Sequence, residues 1–478
     1  MTENFAARLD AVARRRPDGP ALVWKDGALA WRALERRAGG VALSLARRGI
    51  RAGDTVALLL GNDWRFAAAL WGGLKAGATV VPLNPLLSSE ERTRILAHLR
   101  PALVVNDVPD EEGSCETVPV TAPALILYTS GSTGQPKGAV LSHAALHAAN
   151  ESWAGPVMRL TSDDVVLAAL PLAHSFGLNG ALLAPLLTGA TVALGERFAP
   201  EETLAALARH RVTVLPAVAT MFQKMLEVPA LSPAACSTVR IALSGAAPCS
   251  WELAKSWRQR TGVRILRGFG MTELFRPISY LADEPADWPL AIGRAVPGVE
   301  LRVVDDAGEA CDPDEAGELW IRSPAAMDGY LRAEDETRAV MQDGWFRTGD
   351  LARISPAGFV TIVGRKKELI LRGGYSVVPG EVEAALLAHA AVAEAAVIGI
   401  PDAALGEDVA AFVTLKPGLR VGAEELVAFC RERLAAFKYP RRVAIVRELP
   451  KGATGKVLKW QLAKQAAAGP LTGSPEPA

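Results

Sequence analysis

The sequence predicts an α/β protein, and three observations carry that prediction. Short continuous apolar runs, TVALLL (55–60), ALILYTS (124–130), VTVLPA (212–217) and VRIALSG (239–245), have the pattern of strands buried on both faces. Helical stretches separate them, and this strand–helix–strand alternation is that of parallel sheets. After about residue 290 the texture changes to short strands divided by turn signals, and after about 380 to a compact α+β unit.

Taken in order, residues 31–49 form an amphipathic helix with Trp31, Leu34, Ala38, Val41 and Leu45 at helical spacing, ended by Gly49. The strand 55–60 follows, then a helix from Asp63 to Lys75, then the strand ATVVPL (78–83). The alternation resumes at 124–130, at TVALG (191–195) with a helix over 200–209, and at 212–217 and 239–245. ELRVVD, GELWIRS and GFVTIVG, separated by DDAGE and SPAG, predict antiparallel strands. EVEAALLAHA and AEELVAFCRERL predict helices, and AVIGIP and AAFVTLK predict strands. The segment 468–478 has the composition of a disordered tail.

The 478 residues exceed what one hydrophobic core holds, so several are expected. With 50% hydrophobic and 22% charged residues, the chain is neither disordered, collagen-like nor a disulfide scaffold. Its 52 basic and 52 acidic residues cancel, which argues against a nucleic-acid partner or a broad anionic surface. Cys115, Cys236, Cys249, Cys311 and Cys430 are scattered, with no metal-ligand spacing, and read as free thiols of a cytoplasmic protein. MTENFAARLD lacks the apolar core of a signal peptide. No charged side chain occurs from Val165 to Gly195, but Pro171, His174, Pro185 and several glycines interrupt it. A buried helix flanked by loops is expected there rather than a membrane span.

The most informative segment runs from Tyr128 to Gly138, YTSGSTGQPKG, directly after a core strand. Glycines let backbone N–H groups converge, while Thr129, Ser130, Ser132, Thr133 and Lys137 can ring the same anion. Polyphosphate binding needs this combination. The order of residues is not that of a Walker A loop, and the alternative reading is a flexible surface linker.

This segment, with LSH after it, resembles the signature of the adenylate-forming (AMP-binding) superfamily, which includes the acyl-CoA synthetases. PLAHSFG (171–177), GFGMTE (268–273), GELWIRSPAAMDGYL (317–331), DGWFRTGDL (343–351), GRKKELILRGGYSVVPGEVE (364–383) and LPKGATGKVLK (449–459) follow in the family's order. GDTVALLLGN through AGATVVPLNP also matches, so the resemblance covers nearly the whole chain. It implies a large N-terminal adenylation domain, residues 1–366, with two parallel-type α/β sheets and a small β-barrel. A mobile α+β C-terminal domain, 367–467, would follow.

The implied activity is that of an ATP-dependent acyl-CoA synthetase using ATP, Mg²⁺ and coenzyme A. A carboxylate is joined to the α-phosphate, and the acyl group then passes to a thiol. The alternative acceptor is the phosphopantetheine of a carrier protein. A homodimer is compatible with either.

The resemblance assigns Lys456 to the catalytic lysine, Thr272 to the α-phosphate, Glu273 to Mg²⁺ and His174 to the entrance for the acyl carboxylate. Thr129, Ser130, Gly131, Ser132, Thr133, Gly134 and Lys137 would hold phosphates, with Gly245, Ala246, Phe269 and Gly270 about the nucleotide. Phe269 stands where the family usually has Tyr; either ring can stack on adenine. Asp350 and Arg365 would meet the ribose. Lys367 falls at the hinge, and Gly373 and Gly374 lie on the loop that enters for thiol attack. Read without the family, GMTE equally suits a helix N-terminus, with Thr as cap.

PLAHSFG lacks the acidic residue that amino-acid-activating relatives use, and the pocket segments are mostly apolar, so a fatty, branched or aryl acid is expected. Arg276 stands out in ELFRP. It can pair with a second carboxylate of a substrate, but such an arginine more often faces solvent or meets a backbone carbonyl.

Overall fold

The computed structural model describes residues 3–108, 110–130, 136–284, 288–451 and 457–468. The chain divides into two compact units, one of Met1–Leu301 with Ile321–Phe346 and one of Arg302–Trp320 with Arg347–Ala478. The predicted tail beyond residue 468 lies outside the described residues.

The first unit is built on two mainly parallel sheets. One has six strands in the order Gly329–Tyr330, Pro136–Leu141, Leu125–Ser130, Thr79–Pro82, Thr55–Leu58 and Leu103–Val105. The last four run parallel, Thr55 facing Thr79, Val56 facing Leu103 and Val80 facing Leu125. The other has seven strands in the order Ile265–Leu266, Ile241–Ser244, Val214–Ala217, Val165–Ala168, Thr191–Leu194, Pro20–Trp24 and Gly27–Ala30. Only the final hairpin is antiparallel.

Four of its strands, Thr191–Leu194, Val214–Ala217, Ile241–Ser244 and Ile265–Leu266, are buried throughout, as their unbroken apolar runs require. The uncharged stretch after Val165 is a strand, a π-helical turn Gly177–Leu183 and a short helix Ala184–Thr188. Among the described residues no helix is long and apolar enough to cross a membrane.

Helices Trp31–Arg47 and Trp64–Lys75 form where the periodicity places them, the second capped by the Asp63 carboxylate accepting from Arg65 N–H. Their polar lock is Lys75, whose ammonium is buried between Asp10 and Glu35, 2.8 Å from each. Burial alone would lower the Lys75 pKa, but its bonds to both carboxylates and their charge outweigh it and raise it. Trp71 Nε1 and Thr117 Oγ1 also donate to Asp10, at 3.1 and 2.5 Å.

The sequence-implied small β-barrel is not observed. Among the described residues the antiparallel strands between 265 and 365 form open sheets, such as the three-stranded Gly268–Met271, Phe275–Ser279 and Arg294–Ala295. The strands of that sheet have only two to five residues, and the longer ones, Gly317–Arg322, Trp345–Ile354 and Val360–Arg365, belong to a separate sheet whose first and last strands do not pair, so no cylinder closes.

The second unit carries a five-stranded sheet. Tyr375–Val377, Ile370–Arg372, Gly406–Leu415 and Val392–Asp402 pair antiparallel in that order, and Arg442–Ile445 joins Gly406–Leu415 in parallel. Helices Pro379–Leu387 and Ala423–Arg431 cover it, with Val382, Leu386, Val397, Val409, Leu426 and Cys430 at the core. Within that fold Arg372 and Asp408 form a buried pair, Nε to Oδ1 at 2.8 Å.

Lys75→Met leaves the buried Asp10 carboxylate and the half-buried Glu35 carboxylate without their cation. We expect the first unit to lose about 3–5 kcal/mol in denaturant unfolding, and the triple variant Lys75→Met/Asp10→Asn/Glu35→Gln to regain most of it. An unchanged midpoint for Lys75→Met would show the network to be idle.

Candidate active site

Parallel sheets bind ligands beyond the carboxyl ends of their strands, at the place where strand order reverses. In the seven-stranded sheet that place lies beside Val165–Ala168, because the chain goes first to Thr191–Leu194 on one side and then to Val214–Ala217 on the other. The segment leaving Val165–Ala168 is PLAHSFG. Gly245 and Ala246 leave Ile241–Ser244, and Gly268 follows Ile265–Leu266. The sequence motifs therefore gather at one edge because of topology.

His174 lies in the turn after Pro171, half-buried, its N–H donating to the Pro171 carbonyl at 3.0 Å and its Nδ1 accepting from Phe176 N–H at 3.2 Å. Asn62, the last residue of GDTVALLLGN, fixes this loop. Its Nδ2 donates to Leu170 O at 2.6 Å and to Gly195 O, and its Oδ1 accepts from Leu172 N–H at 2.9 Å. One side chain from the six-stranded sheet thus ties down the loops of the seven-stranded one. Nothing in its local sequence distinguishes it from a turn asparagine.

Thr272 and Glu273 are both buried, in the tight turn between Gly268–Met271 and Phe275–Ser279. The alternative of a helix start is not what forms: Met271 pairs with Phe275, and Phe275 takes a left-handed φ of 56°. Gly270 is required because a Cβ there would lie 2.3 Å from the Phe275 carbonyl. Phe269 faces Ile278 across the hairpin, half-buried. Ala246 also takes a left-handed φ, 65°.

The phosphate-loop candidate is a hairpin. Leu125–Ser130 and Pro136–Leu141 are antiparallel, with Thr129 opposite Lys137 and Ser130 opposite Pro136. Gly131, Ser132, Thr133 and Gly134 lie outside the described residues. Lys137 Nζ stands 5.2 Å from the centre of the Tyr330 ring, and the Tyr330 hydroxyl donates to Glu273 Oε1 at 2.7 Å.

Tyr330 is held there by the strand Gly329–Tyr330 on Ala139–Val140, by Leu331 N–H on Gly138 O, and by Met327 N–H on Glu273 O. Burial, and then the Glu273 charge, hold its phenol far above the usual range, so it remains a donor. The structure thus joins Lys137 and Glu273, which are far apart in sequence, through a residue that sequence reasoning passed over. Its only signal was its place in the motif ending GYL.

In the second unit Asp350 and Arg365 face each other on strands Trp345–Ile354 and Val360–Arg365, Nε to Oδ1 at 3.0 Å. Asp350 is buried, and its N–H donates to Thr348 Oγ1, which donates to Leu319 O at 2.7 Å. Lys367 is exposed, in the single 3-10 turn Lys366–Glu368.

Gly373 and Gly374, at φ 57° and 84°, form the two-residue turn between Ile370–Arg372 and Tyr375–Val377, a conformation that glycine adopts without strain. Lys456 lies outside the described residues; beside it, Lys451 and Val457 pair as an antiparallel bridge.

Chemically, the first unit offers an ammonium and a buried, hydrogen-bonded carboxylate beside a hydroxyl-rich hairpin. These suit a phosphate chain and a hard cation. Among the described residues no three His, Cys, Asp or Glu side chains cluster.

The AMP-binding enzyme family model matches residues 9–122 and 106–331, and that of the AMP-binding enzyme C-terminal domain matches 381–456. The chain is similar to a methyl-dioxo-octahydro-indenyl propanoyl:CoA ligase of Mycobacterium tuberculosis, 35% identical over 95% of this chain and 97% of that one. A feruloyl-CoA synthase of Amycolatopsis is 34% identical over 95% and 97%. Among solved structures, ATP-bound MatB from Rhodopseudomonas palustris superposes with a TM-score of 0.93 at 31% identity, covering 97% of this chain and 99% of its own.

Tyr330→Phe keeps the ring beside Lys137 but removes the bond to Glu273. We expect kcat/KM for MgATP to fall roughly tenfold, as loss of a bond to a charged group implies, with folding intact. A variant with wild-type Mg²⁺ and ATP dependence would contradict the linkage.

Proposed function

The chain belongs to the AMP-binding enzyme family, and on that premise we propose an ATP-dependent acyl-CoA synthetase whose acid has an apolar body, fatty, branched or aryl. The reaction is acid–thiol ligation: ATP and the acid give an acyl-adenylate and pyrophosphate, and the CoA thiol then displaces AMP. The observation that carries the reading is the Lys137–Tyr330–Glu273 cluster beside the hairpin. It supplies a cation for phosphate oxygens and an anion for the metal. Glu273 would hold Mg²⁺, which when bound neutralises phosphate charge.

Lys137, with Thr129, Ser130 and the loop 131–134, would orient the phosphates, and Thr272 would donate to the α-phosphate. Gly245, Ala246, Phe269 and Gly270 would border the nucleotide. Asp350 accepts bonds from ribose hydroxyls in this reading, and the Arg365 guanidinium beside it orients that carboxylate. Lys456 would meet the acid and α-phosphate as negative charge concentrates in the transition state.

Lys367 would be the pivot on which residues 367–467 reorient between half-reactions, bringing Gly373 and Gly374 to the thiol. A 3-10 turn already has the φ that proline demands. Similarity to CoA ligases over nearly their whole length supports free CoA rather than a carrier protein as acceptor. The five free thiols support a cytoplasmic location, and the reading is compatible with a homodimer.

With MgATP, CoA and a panel of straight-chain, branched and aryl acids, we expect AMP, pyrophosphate and an acyl-CoA visible by mass spectrometry. Loading of a holo-carrier alone, with no acyl-CoA at any chain length, would overturn the assignment. Lys456→Ala should slow adenylation by about a hundredfold or more, yet spare thioester formation from supplied acyl-adenylate. Equal loss in both steps would contradict that division. Lys367→Pro should slow one half-reaction selectively; unchanged rates in both would place the pivot elsewhere.

A further inference from the structure

Arg276 follows the Thr272–Glu273 turn by three residues, and its side chain is 5% exposed. It runs beneath the carboxyl ends of two parallel strands. Nη1 donates to Ser244 O at 2.9 Å and Nη2 to Leu266 O at 3.1 Å, each the last residue of its strand, and Nε donates to Ser279 Oγ at 3.0 Å. The guanidinium stands 5.1 Å from the centre of the Trp153 ring, which stacks on Phe176 at 5.6 Å. It is therefore lodged at the edge where His174, Gly245 and Gly268 meet. A Cβ on Gly245 would lie 3.1 Å from both Nη1 and the Phe176 ring, and one on Gly268 would lie 2.4 Å from Nη2.

The arginine neither faces solvent nor meets a carboxylate. Its hydrogen-bond partners are two carbonyls and a hydroxyl, and among the described residues no ion pair joins it. Burial lowers its pKa with no neighbouring carboxylate opposing the shift, and a guanidinium still keeps its proton at neutral pH. Those bonds take three of its five N–H donors. A whole positive charge and spare donors are thus held away from water, and a buried charge that lacks a counter-ion is costly. A neutral acceptor would engage the donors but leave the charge.

We propose that Arg276 receives a second anionic group at the far end of the acyl substrate, so that the preferred acid is a dicarboxylate with an apolar body, one end activated and the other paired to the guanidinium. The inference rests on the acyl-CoA synthetase reading above. The other role open to this residue is a clamp that only ties the two strand ends.

The test is initial-rate pyrophosphate release by the full-length protein with matched acids that share a skeleton. Straight-chain ω-dicarboxylates of graded length are set against methyl-ended acids of equal length, and terephthalate against 4-methylbenzoate. For the best skeleton, the dicarboxylate should exceed its methyl partner at least about tenfold in kcat/KM. Arg276→Met should invert that preference, costing the dicarboxylate roughly a hundredfold, chiefly in KM, while the methyl partner changes far less. Arg276→Lys, which keeps the charge without the fork, should retain part of it.

Methyl-ended acids preferred by the wild type, or an Arg276→Met loss equal for both partners, would overturn the proposal and leave the clamp. Because the wild-type comparison needs no variant, it decides even if Arg276→Met does not fold. Pyrophosphate release with methyl-ended acids alone refutes this inference and leaves the synthetase reading standing; release with no acid of either kind refutes both.

Discussion

A carboxylate and a phosphate chain must be brought to bonding distance although both are anionic. Two unit charges 4 Å apart repel by about 4 kcal/mol where the effective dielectric is that of a protein surface, and more where water is excluded. A chain whose formal charges cancel cannot meet that cost with a general field. It must place individual cations and donors, and hold them. In the proposed reading, Lys137 beside the Tyr330 ring, with Glu273 bonded to the same phenol, would do so in the first unit. A carboxylate kept in one orientation can serve a cation without first reorganising, which is the advantage of a preorganised site.

The fold supplies that order through backbone geometry. Parallel strands end together, so the segments after Val165–Ala168, Ile241–Ser244 and Ile265–Leu266 share one edge although they are distant in sequence. Asn62 then stitches the six-stranded sheet to the loops after two strands of the seven-stranded one. Arg276 stitches two strand ends with a charged group where neutral donors would suffice for the bonding, which is why a substrate anion is the more economical account of its presence. Asp350 and Arg365 follow the same pattern in the second unit: a buried carboxylate oriented by a guanidinium and carried on adjacent strands.

Much of this was legible in the chain. The apolar runs at 55–60, 124–130 and 239–245 are strands because residues buried on both faces need no polar alternation, and the helix over 200–209 is Pro200–Arg209. The motif order resembled one family over nearly the whole length. What local sequence could not carry was partnership across distance. Tyr330 and Glu273 meet through a strand pairing with 139–140 and the bond from Met327 N–H to Glu273 O. GMTE has the composition of a helix cap, yet the register Met271–Phe275 makes it a hairpin turn. The expected barrel failed for a related reason, since a run of antiparallel strands does not fix whether the first meets the last. For Arg276 the sequence left solvent, a backbone carbonyl and a second substrate carboxylate open; it meets backbone carbonyls, and nothing nearby in sequence announces that these are Ser244 O and Leu266 O.

In this reading, placed cations let a carboxylate attack the α-phosphate of ATP. Exchange of labelled pyrophosphate into ATP, followed without CoA, tests it most directly. Exchange should require both the acid and Mg²⁺, with AMP as the only nucleotide product when the adenylate is trapped by hydroxylamine. Exchange that proceeds equally without acid, or acid-dependent cleavage of ATP to ADP, would contradict it.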